Sequence, residues 1–221
     1  MRRLIALLAL LATPTVADAA ERRWPVGSVE RVRIEAPVSV RIVTGGGNGV
    51  RATAADRTML DALDLRADGA TLTIRALRKG PIAAEVVVAT PRLDTLAVFA
   101  PATVSLDTLR GTRATVSVSG AGDVTIAQVD ADLFVATLVG DGAITAAGRA
   151  GEVRLAGNGP GTLDAARVVA DRAHVQAAGD IVIHARARST AQVTAGADAQ
   201  VRVEGRPQCT IRAATPQNVT C

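Results

Sequence analysis

Between residue 100 and residue 206, short segments of alternating apolar and polar residues recur about every 19 residues. Such period-two alternation predicts strands that bury one face. The first series of segments is Val104–Leu106, Val124–Ile126, Ile144–Ala146, Leu163–Ala165, Ile181–Ile183 and Val201–Val203. The second, interleaved series is Leu96–Val98, Val116–Val118, Phe134–Ala136, Val153–Leu155, Val175–Ala177 and Val193–Ala195.

Glycine, often with Asp or Asn, separates the second-series segments from the first-series segments, as at Gly120–Asp123 and Gly157–Gly161. These residue types are typical of tight turns. A constant advance places equivalent segments above one another, so that each coil buries its apolar face against the next. The sequence therefore predicts an all-β fold: a single-stranded, parallel β-helix-like solenoid with coils of about 19 residues. An antiparallel β-sandwich, also built from many short strands, is the alternative.

The alternation also predicts the direction of each side chain. Five valines are expected in one inward stack: Val116, Val135, Val153, Val175 and Val193. The outward positions are mostly Thr, Ser, Arg and Gln, and include Ser117, Thr125, Arg154, Gln176, Thr194 and Arg202. Their repetition predicts a broad, flat, hydrogen-bonding face without a deep cleft, which suits a macromolecular partner better than a small ligand. A face that is only solvated is the alternative.

Residues 20–99 alternate without the 19-residue spacing. Strands are expected at residues 29–34, 38–43, 71–74 and 83–88, a loop at Gly45–Gly49, a hairpin turn at Asp68–Gly69 and one helical turn at residues 58–63. We interpret residues 20–99 as starting strands that cap the stack, residues 100–206 as repeat coils and residues 207–221 as a C-terminal hairpin. Both ends need a cover because open strand edges pair with other chains. Residues 20–221 then form one domain.

Residues 1–19 have the pattern of a signal peptide. A basic start, Met1–Arg3, precedes the apolar run Leu4–Ala12, which is too short to span a membrane. Ala17–Ala19 then has the small-x-small pattern of a cleavage site, so cleavage is expected between Ala19 and Ala20. The mature chain is expected to be exported to the periplasm or the cell surface of a bacterium, with no integral membrane segment after signal removal.

The composition excludes some classes of function. Hydrophobic residues make up 48% of the chain, but 44 residues are alanine and the aromatic residues are only Trp24, Phe99 and Phe134. An aromatic-lined pocket or a base-stacking platform is therefore not expected. The net charge of +4 comes almost entirely from arginines interspersed with carboxylates, which predicts a solvated surface and no nucleic-acid partner.

The only cysteines are Cys209 and Cys221. In an exported chain, an isolated pair predicts a disulfide, here across the ends of the C-terminal hairpin. Two free thiols are the alternative. The spacing differs from the Cys-x-x-Cys of redox sites, and no third ligand for zinc lies nearby.

Few other residues are candidates for chemistry. Five residues fall near corresponding turns: Asp123, Asp141, Asn158, Asp180 and Asp198. Stacked oxygens bind calcium in some β-rolls, but with half this period, so we interpret these residues as turn formers. His174 and His184 lack a Ser–His–acid context and are expected to face outward. We predict no catalytic residue, no metal ligand and no cofactor.

Several features together carry a family resemblance: the export signal, alternating strands near Val38, the segment Pro91–Leu93, turns of the Ser119–Asp123 type, and Gly205-x-Pro207-x-Cys209 before a closing cysteine. In these the chain resembles the bacterial head-GIN domain family (DUF2807-type, putative auto-transporter adhesin). The resemblance covers about residues 29–221 and implies a right-handed β-helical fold in an exported protein.

The predicted function is that of a non-enzymatic, exported β-solenoid with a repetitive surface for adhesion or cell-envelope interaction. Its partner is an unidentified macromolecule or envelope component. A carbohydrate-active or calcium-binding β-helix and a purely structural periplasmic domain are the alternatives.

Overall fold

The computed structural model describes residues 19–221, so the predicted signal peptide, apart from Ala19, lies outside the described residues. The chain contains one short α-helix, one 3₁₀ turn at Pro216–Asn218 and sixteen strands in this part. In chain order the elements are β1 (Ala20–Trp24), β2 (Arg31–Glu35), β3 (Ser39–Thr44), β4 (Gly49–Ala54), α1 (Arg57–Asp61), β5 (Leu63–Asp68), β6 (Thr71–Ala76), β7 (Ala84–Thr90), β8 (Thr95–Val98), β9 (Thr103–Ser119), β10 (Asp123–Val139), β11 (Ala143–Asn158), β12 (Thr162–Ala178), β13 (Val182–Ala195), β14 (Gln200–Glu204), β15 (Gln208–Ala213) and β16 (Val219–Thr220).

The strands from β9 to β14 stack in chain order as parallel neighbours. One row of the register runs through Thr103, Asp123, Ala143, Thr162, Val182 and Gln200, so the coils advance by 18 to 20 residues. The parallel β-solenoid predicted from the sequence is confirmed, and the antiparallel sandwich is excluded as the architecture of this region.

Each of the long strands β9 to β13 contributes to two faces, with a corner between its halves. The first face contains the first halves of these strands, together with β1, β4, β7 and β3 at one end and β14 and β16 at the other. The second face contains the second halves, with β5, β6, β2 and β8 at one end and β15 at the other. Ala, Val, Ile and Leu side chains from both faces form one buried core. Alanine allows the narrow interior to close-pack.

The N-terminal strands fall into two groups. The parallel strands β2, β3, β6 and β7 belong to the stack itself. β2 lies between β6 and β8, and β3 lies between β7 and β9. The antiparallel strands β1, β4 and β5 form the outermost layer. Helix α1 contacts β1, β4 and β5 and buries Leu60, so it helps to cover this end of the core. The turn predicted at Asp68–Gly69 joins β5 to β6, with Gly69 at φ +53°.

The C-terminal hairpin predicted for residues 207–221 is wrong. β15 pairs in parallel with β13, and β16 pairs in parallel with β14, so the two segments continue opposite faces. Cys209 is in register with the inward-facing Ala191, and Cys221 follows Thr220. The disulfide between Cys209 and Cys221, with a Cα–Cα distance of 6.4 Å, therefore links the two faces across the last coil.

Four of the five valines predicted to face inward do so, but the five do not form one stack. Val116, Val153, Val175 and Val193 are buried, but Val135 is not. Val135 is in register with Thr115 and Arg154 on the outer surface, while Phe134 and Ala136 point inward. The error has a simple cause: residues 133–136 are all apolar, so hydrophobicity alone does not reveal which phase of the alternation is buried. Val153 also lies in the row of Phe134, next to the row of Val116.

Candidate binding surface

The outward side chains form straight rows along the solenoid axis, with neighbours separated by the interstrand distance of about 4.8 Å. The first face carries the row Ser105, Thr125, Thr145, Asp164, His184 and Arg202. The second face carries the row Ser117, Thr137, Ala156, Gln176, Thr194 and Arg212. The six residues predicted to face outward do so. However, Thr125 and Arg202 lie on the first face and the other four on the second, so they form two surfaces.

The Asp and Asn residues of the turns do not form one ladder. Asp123 is in register with Ala143, and Asn158 is in register with Val139 and Ala178. The left-handed backbone at these turns is adopted by stacked glycines, such as Gly140 at φ +120°, whose Cβ would lie 2.9 Å from Cα of Gly120. Among the described residues, no group of three or more His, Cys, Asp or Glu side chains is placed to hold a metal ion.

The two histidines lie on opposite faces. His184 is in register with Asp164 and Arg202 on the first face. His174 is in register with Arg154 and Gln192 on the second face. Since the core separates them, they cannot share a site.

His174 belongs to a charged cluster around Glu152 on the second face. Arg154 Nε donates to Glu152 Oε1 at 2.6 Å, and Arg172 Nε donates to Oε2 at 3.2 Å. His174 Nε2 lies 3.8 Å from Oε1, and the Glu152 side chain is only 13% exposed. The hydrogen bond from Arg154 is the main cause that lowers the pKa of Glu152, against the opposing effect of burial. This carboxylate is thus held ionised by its neighbours.

A groove runs along the corner between the two faces. One wall is the outward row Arg110, Asp130 and Arg149. The other wall contains Thr112, Asp132, Gly151 and Asp171, which each precede a residue of the in-register row Arg113, Leu133, Glu152 and Arg172. Between the walls lies the small-residue row Gly111, Ala131 and Ala150. We call this feature the corner groove; it has a volume of about 650 Å³ and extends to Val169 and Arg188. The sequence predicts one hydrogen-bonding face, whereas the structure has two faces with outward rows, and that prediction does not include this groove.

The local sequence of β11 shapes one part of the corner groove. Before Gly148, β11 has one residue fewer than β10 and β12, so its chain takes a shorter path around the corner. Gly148 has φ +129°, and a Cβ there would collide with the carbonyl oxygen of Val129. A Cβ on Gly151 would lie 2.9 Å from the Asp132 carbonyl oxygen. Because glycine is required at both positions, the second wall lacks a side chain where β11 crosses it.

Asp130 is the centre of the charged wall. Arg149 Nε donates to Asp130 Oδ1 at 2.9 Å, and Arg110 Nε lies 3.5 Å from Oδ2. Neither arginine has another carboxylate partner within residues 19–221. Both guanidinium groups remain more than half exposed and can donate to a ligand.

The family model described as "Putative auto-transporter adhesin, head GIN domain" (DUF2807) matches residues 29–207. The chain belongs to this family. Both faces and the corner groove of this head GIN domain lie largely within the matched residues, whereas Cys209 and Cys221 follow them. A search of curated proteins finds no match.

Solved structures share the fold of this head GIN chain. A putative adhesin from Bacteroides fragilis is 13% identical, with a TM-score of 0.75, over 89% of this chain and 94% of that one. A putative adhesin from Parabacteroides merdae is 12% identical, with a TM-score of 0.69, over 93% and 95%. A protein described as a putative lipid binding protein, from Parabacteroides distasonis, is 14% identical, with a TM-score of 0.67, over 90% and 96%. At these identities the similarity shows the fold alone.

No helix in residues 19–221 is long and apolar enough to cross a membrane.

Proposed function

We propose that this head GIN chain is an exported, non-enzymatic adhesion module that binds a macromolecular partner in the cell envelope or outside the cell. The observation that carries the proposal is the repetition of outward hydrogen-bonding side chains in register over successive coils. Membership in an adhesin-type family supports it.

The chemistry of the rows supports a large partner. An exposed hydroxyl or guanidinium contributes little to binding because it exchanges water for a ligand. Rows spaced by about 4.8 Å over many strands offer many such contacts at once to an extended partner. A small ligand would engage only a few of them.

Export is part of the proposal. The disulfide between Cys209 and Cys221 supports an oxidising compartment, and the sequence of residues 1–19 supports a cleaved signal. Amino-terminal sequencing of the protein recovered from a bacterial periplasm or medium tests this. We expect the mature chain to begin at Ala20; an uncleaved chain retained in the membrane would contradict it.

Binding is tested by adding the labelled mature chain to immobilised bacterial envelopes and to extracellular matrix. We expect saturable binding that the unlabelled folded chain displaces and that a heat-unfolded chain does not. If neither material binds the folded chain saturably, the adhesion proposal is wrong.

Catalysis is tested separately by incubation with a panel of polysaccharides. We expect no new reducing ends. Turnover that is lost in Asp123→Asn, Asp141→Asn or Asp180→Asn would refute the non-enzymatic assignment.

A further inference from the structure

The corner groove differs from the flat faces in shape and in charge. Its lining extends from Arg110 in β9 to Arg188 in β13, and so spans five adjacent coils. Four steps of about 4.8 Å give a length of about 19 Å along the axis. A strip with small side chains runs along the floor, between two rows of outward residues. The shape is that of an open groove along the solenoid axis.

The charges of the groove balance. Three arginines, Arg110, Arg149 and Arg188, and three aspartates, Asp130, Asp132 and Asp171, line it. A polyanion or a polycation would meet as much repulsion as attraction, and each charge that it desolvates carries a cost. Net charge therefore does not select the ligand; hydrogen-bond geometry does.

Part of this polar set is free to bind. Asp130 is held by Arg110 and Arg149. In contrast, Asp132, Asp171 and Arg188 make no ion pair with any residue in the described part of the chain. Asp132 and Asp171 lie on either side of Gly151, in β10 and β12, and all three free side chains are exposed.

Carboxylates only accept hydrogen bonds and guanidinium groups only donate them, whereas a hydroxyl does both. A ligand with many hydroxyl groups and no charge can therefore satisfy both walls at once. Sugars have this chemistry, and an extended polysaccharide also matches a channel that crosses several coils.

From these features we propose that the corner groove binds a neutral polysaccharide whose chain lies along the solenoid axis. The inference rests on the proposed adhesion function and specifies its ligand and its site. Asp132 and Asp171 accept hydrogen bonds from sugar hydroxyls, and Arg110, Arg149 and Arg188 donate to sugar oxygens.

The test is calorimetric titration of the mature chain with two sets of probes. The neutral probes are cellohexaose, maltohexaose, xylohexaose, mannohexaose, chitohexaose and soluble dextran. The acidic probes are polygalacturonate and heparin. We expect saturable binding of at least one neutral probe, with affinity that changes less than twofold between low and high salt.

Two variants locate the site. The double variant Asp132→Ala/Asp171→Ala removes the free acceptors, and we expect at least a tenfold loss of affinity. Thr112→Trp places a large side chain in the second wall and is expected to abolish binding. The matched control Asp141→Ala/Asp180→Ala changes two exposed aspartates on the opposite, glycine-rich edge and should stay within twofold of the unchanged chain.

Folding is checked by circular dichroism and thermal melting. The substituted residues are exposed, so we expect the melting temperatures of all three variants to be close to that of the unchanged chain. If Thr112→Trp fails to fold, the double alanine variant and its control still decide the question.

Three results would overturn the inference: binding of no neutral probe, tighter binding of an acidic probe, or neutral binding that survives the double variant unchanged. Saturable envelope binding that persists in Asp132→Ala/Asp171→Ala would show adhesion through another surface or to another class of partner. In that case the proposed function stands and the assignment of the groove fails. If the unchanged chain binds neither envelopes nor any neutral probe, both the adhesion proposal and the assignment of the groove are wrong.

Discussion

The Thr90 hydroxyl forms hydrogen bonds with both backbone polar groups of Val29 inside the N-terminal end of the core. The Thr90 hydroxyl donates to the Val29 carbonyl oxygen at 2.5 Å and accepts from the Val29 amide nitrogen at 3.3 Å. Thr90 ends β7 on the first face, and Val29 precedes β2 on the second. This side chain thus connects two faces at positions 61 residues apart.

Replacing Thr90 by Val keeps the shape and removes both hydrogen bonds. Both groups of Val29 would then be buried without this partner, so we expect a loss of about 1–3 kcal/mol in the free energy of unfolding. Urea denaturation measures it. Thr125→Val, at an exposed outward position, is the control and should change stability by less than about 0.5 kcal/mol. Equal losses for the two variants would contradict the role of the buried bond.

The stack was predictable because its signals are local. Alternation at Val116–Val118 or Val193–Ala195, followed by glycine turns, specifies strand, buried face and advance within about 20 residues. The predicted buried face is wrong where consecutive residues are all apolar, as around Val135. Strands β4 and β5 were not predicted, although Gly49–Ala54 and Leu63–Asp68 both alternate apolar and polar residues.

Other features depend on contacts between distant segments. No local pattern shows that β2 lies between β6 and β8, because that order depends on packing partners 40 to 64 residues away. The corner groove combines residues of five strands, and the missing residue of β11 before Gly148 can be recognised only once the register between these strands is known. The C-terminal segments are too short to distinguish a hairpin from continued parallel stacking.

Gly157 is required by the packing of Ile181. A Cβ added to Gly157 would collide with Ile181 Cδ1 in the core. We expect Gly157→Ala to cost about 1–3 kcal/mol through overpacking. Ile181→Val removes the Cδ1 atom, so the double variant should recover part of this loss in a double-mutant cycle. Gly46→Ala, where the added Cβ meets nothing within 4 Å, is the matched control.

Val153 tests the phase of the strands. It is 1% exposed, between Phe134 and Ala173 in neighbouring coils. Val153→Asp places an unpaired carboxylate in the core, and we expect a loss of about 3 kcal/mol or more, or failure to fold. Gln176→Asp, at an outward position, should be mild. A comparable fall in melting temperature for both variants would mean that the assigned phase is wrong.

The disulfide between Cys209 and Cys221 should stabilise one end of the solenoid. The bridge closes a loop with a sequence separation of 12. Because this lowers the entropy of the unfolded chain, it should raise the free energy of unfolding by about 3 kcal/mol. We expect Cys209→Ser/Cys221→Ser to increase amide hydrogen exchange in β15 and β16 much more than in β10 and β11. Uniform loss of protection along the whole chain would show instead that the last coil unfolds together with the others. Intact mass before and after reduction and alkylation checks that the bridge is formed.

The charged cluster around Glu152 predicts a pH dependence of stability. The hydrogen bond from Arg154 lowers the pKa of Glu152 below its ordinary value of 4.5, so the folded chain binds this proton less tightly than the unfolded chain. The resulting stabilisation is present above pH 4.5 and is lost as the pH falls through the lowered folded value. Glu152→Gln removes it, so urea denaturation from pH 6 to pH 3 should show a shallower decline in this variant. The decline should not vanish, because hydrogen bonds from Arg33 and Arg75 also lower the pKa of Glu35. Thr125→Val, which removes no titratable group, should keep the original slope; a slope in Glu152→Gln equal to that of the unchanged chain would contradict the prediction.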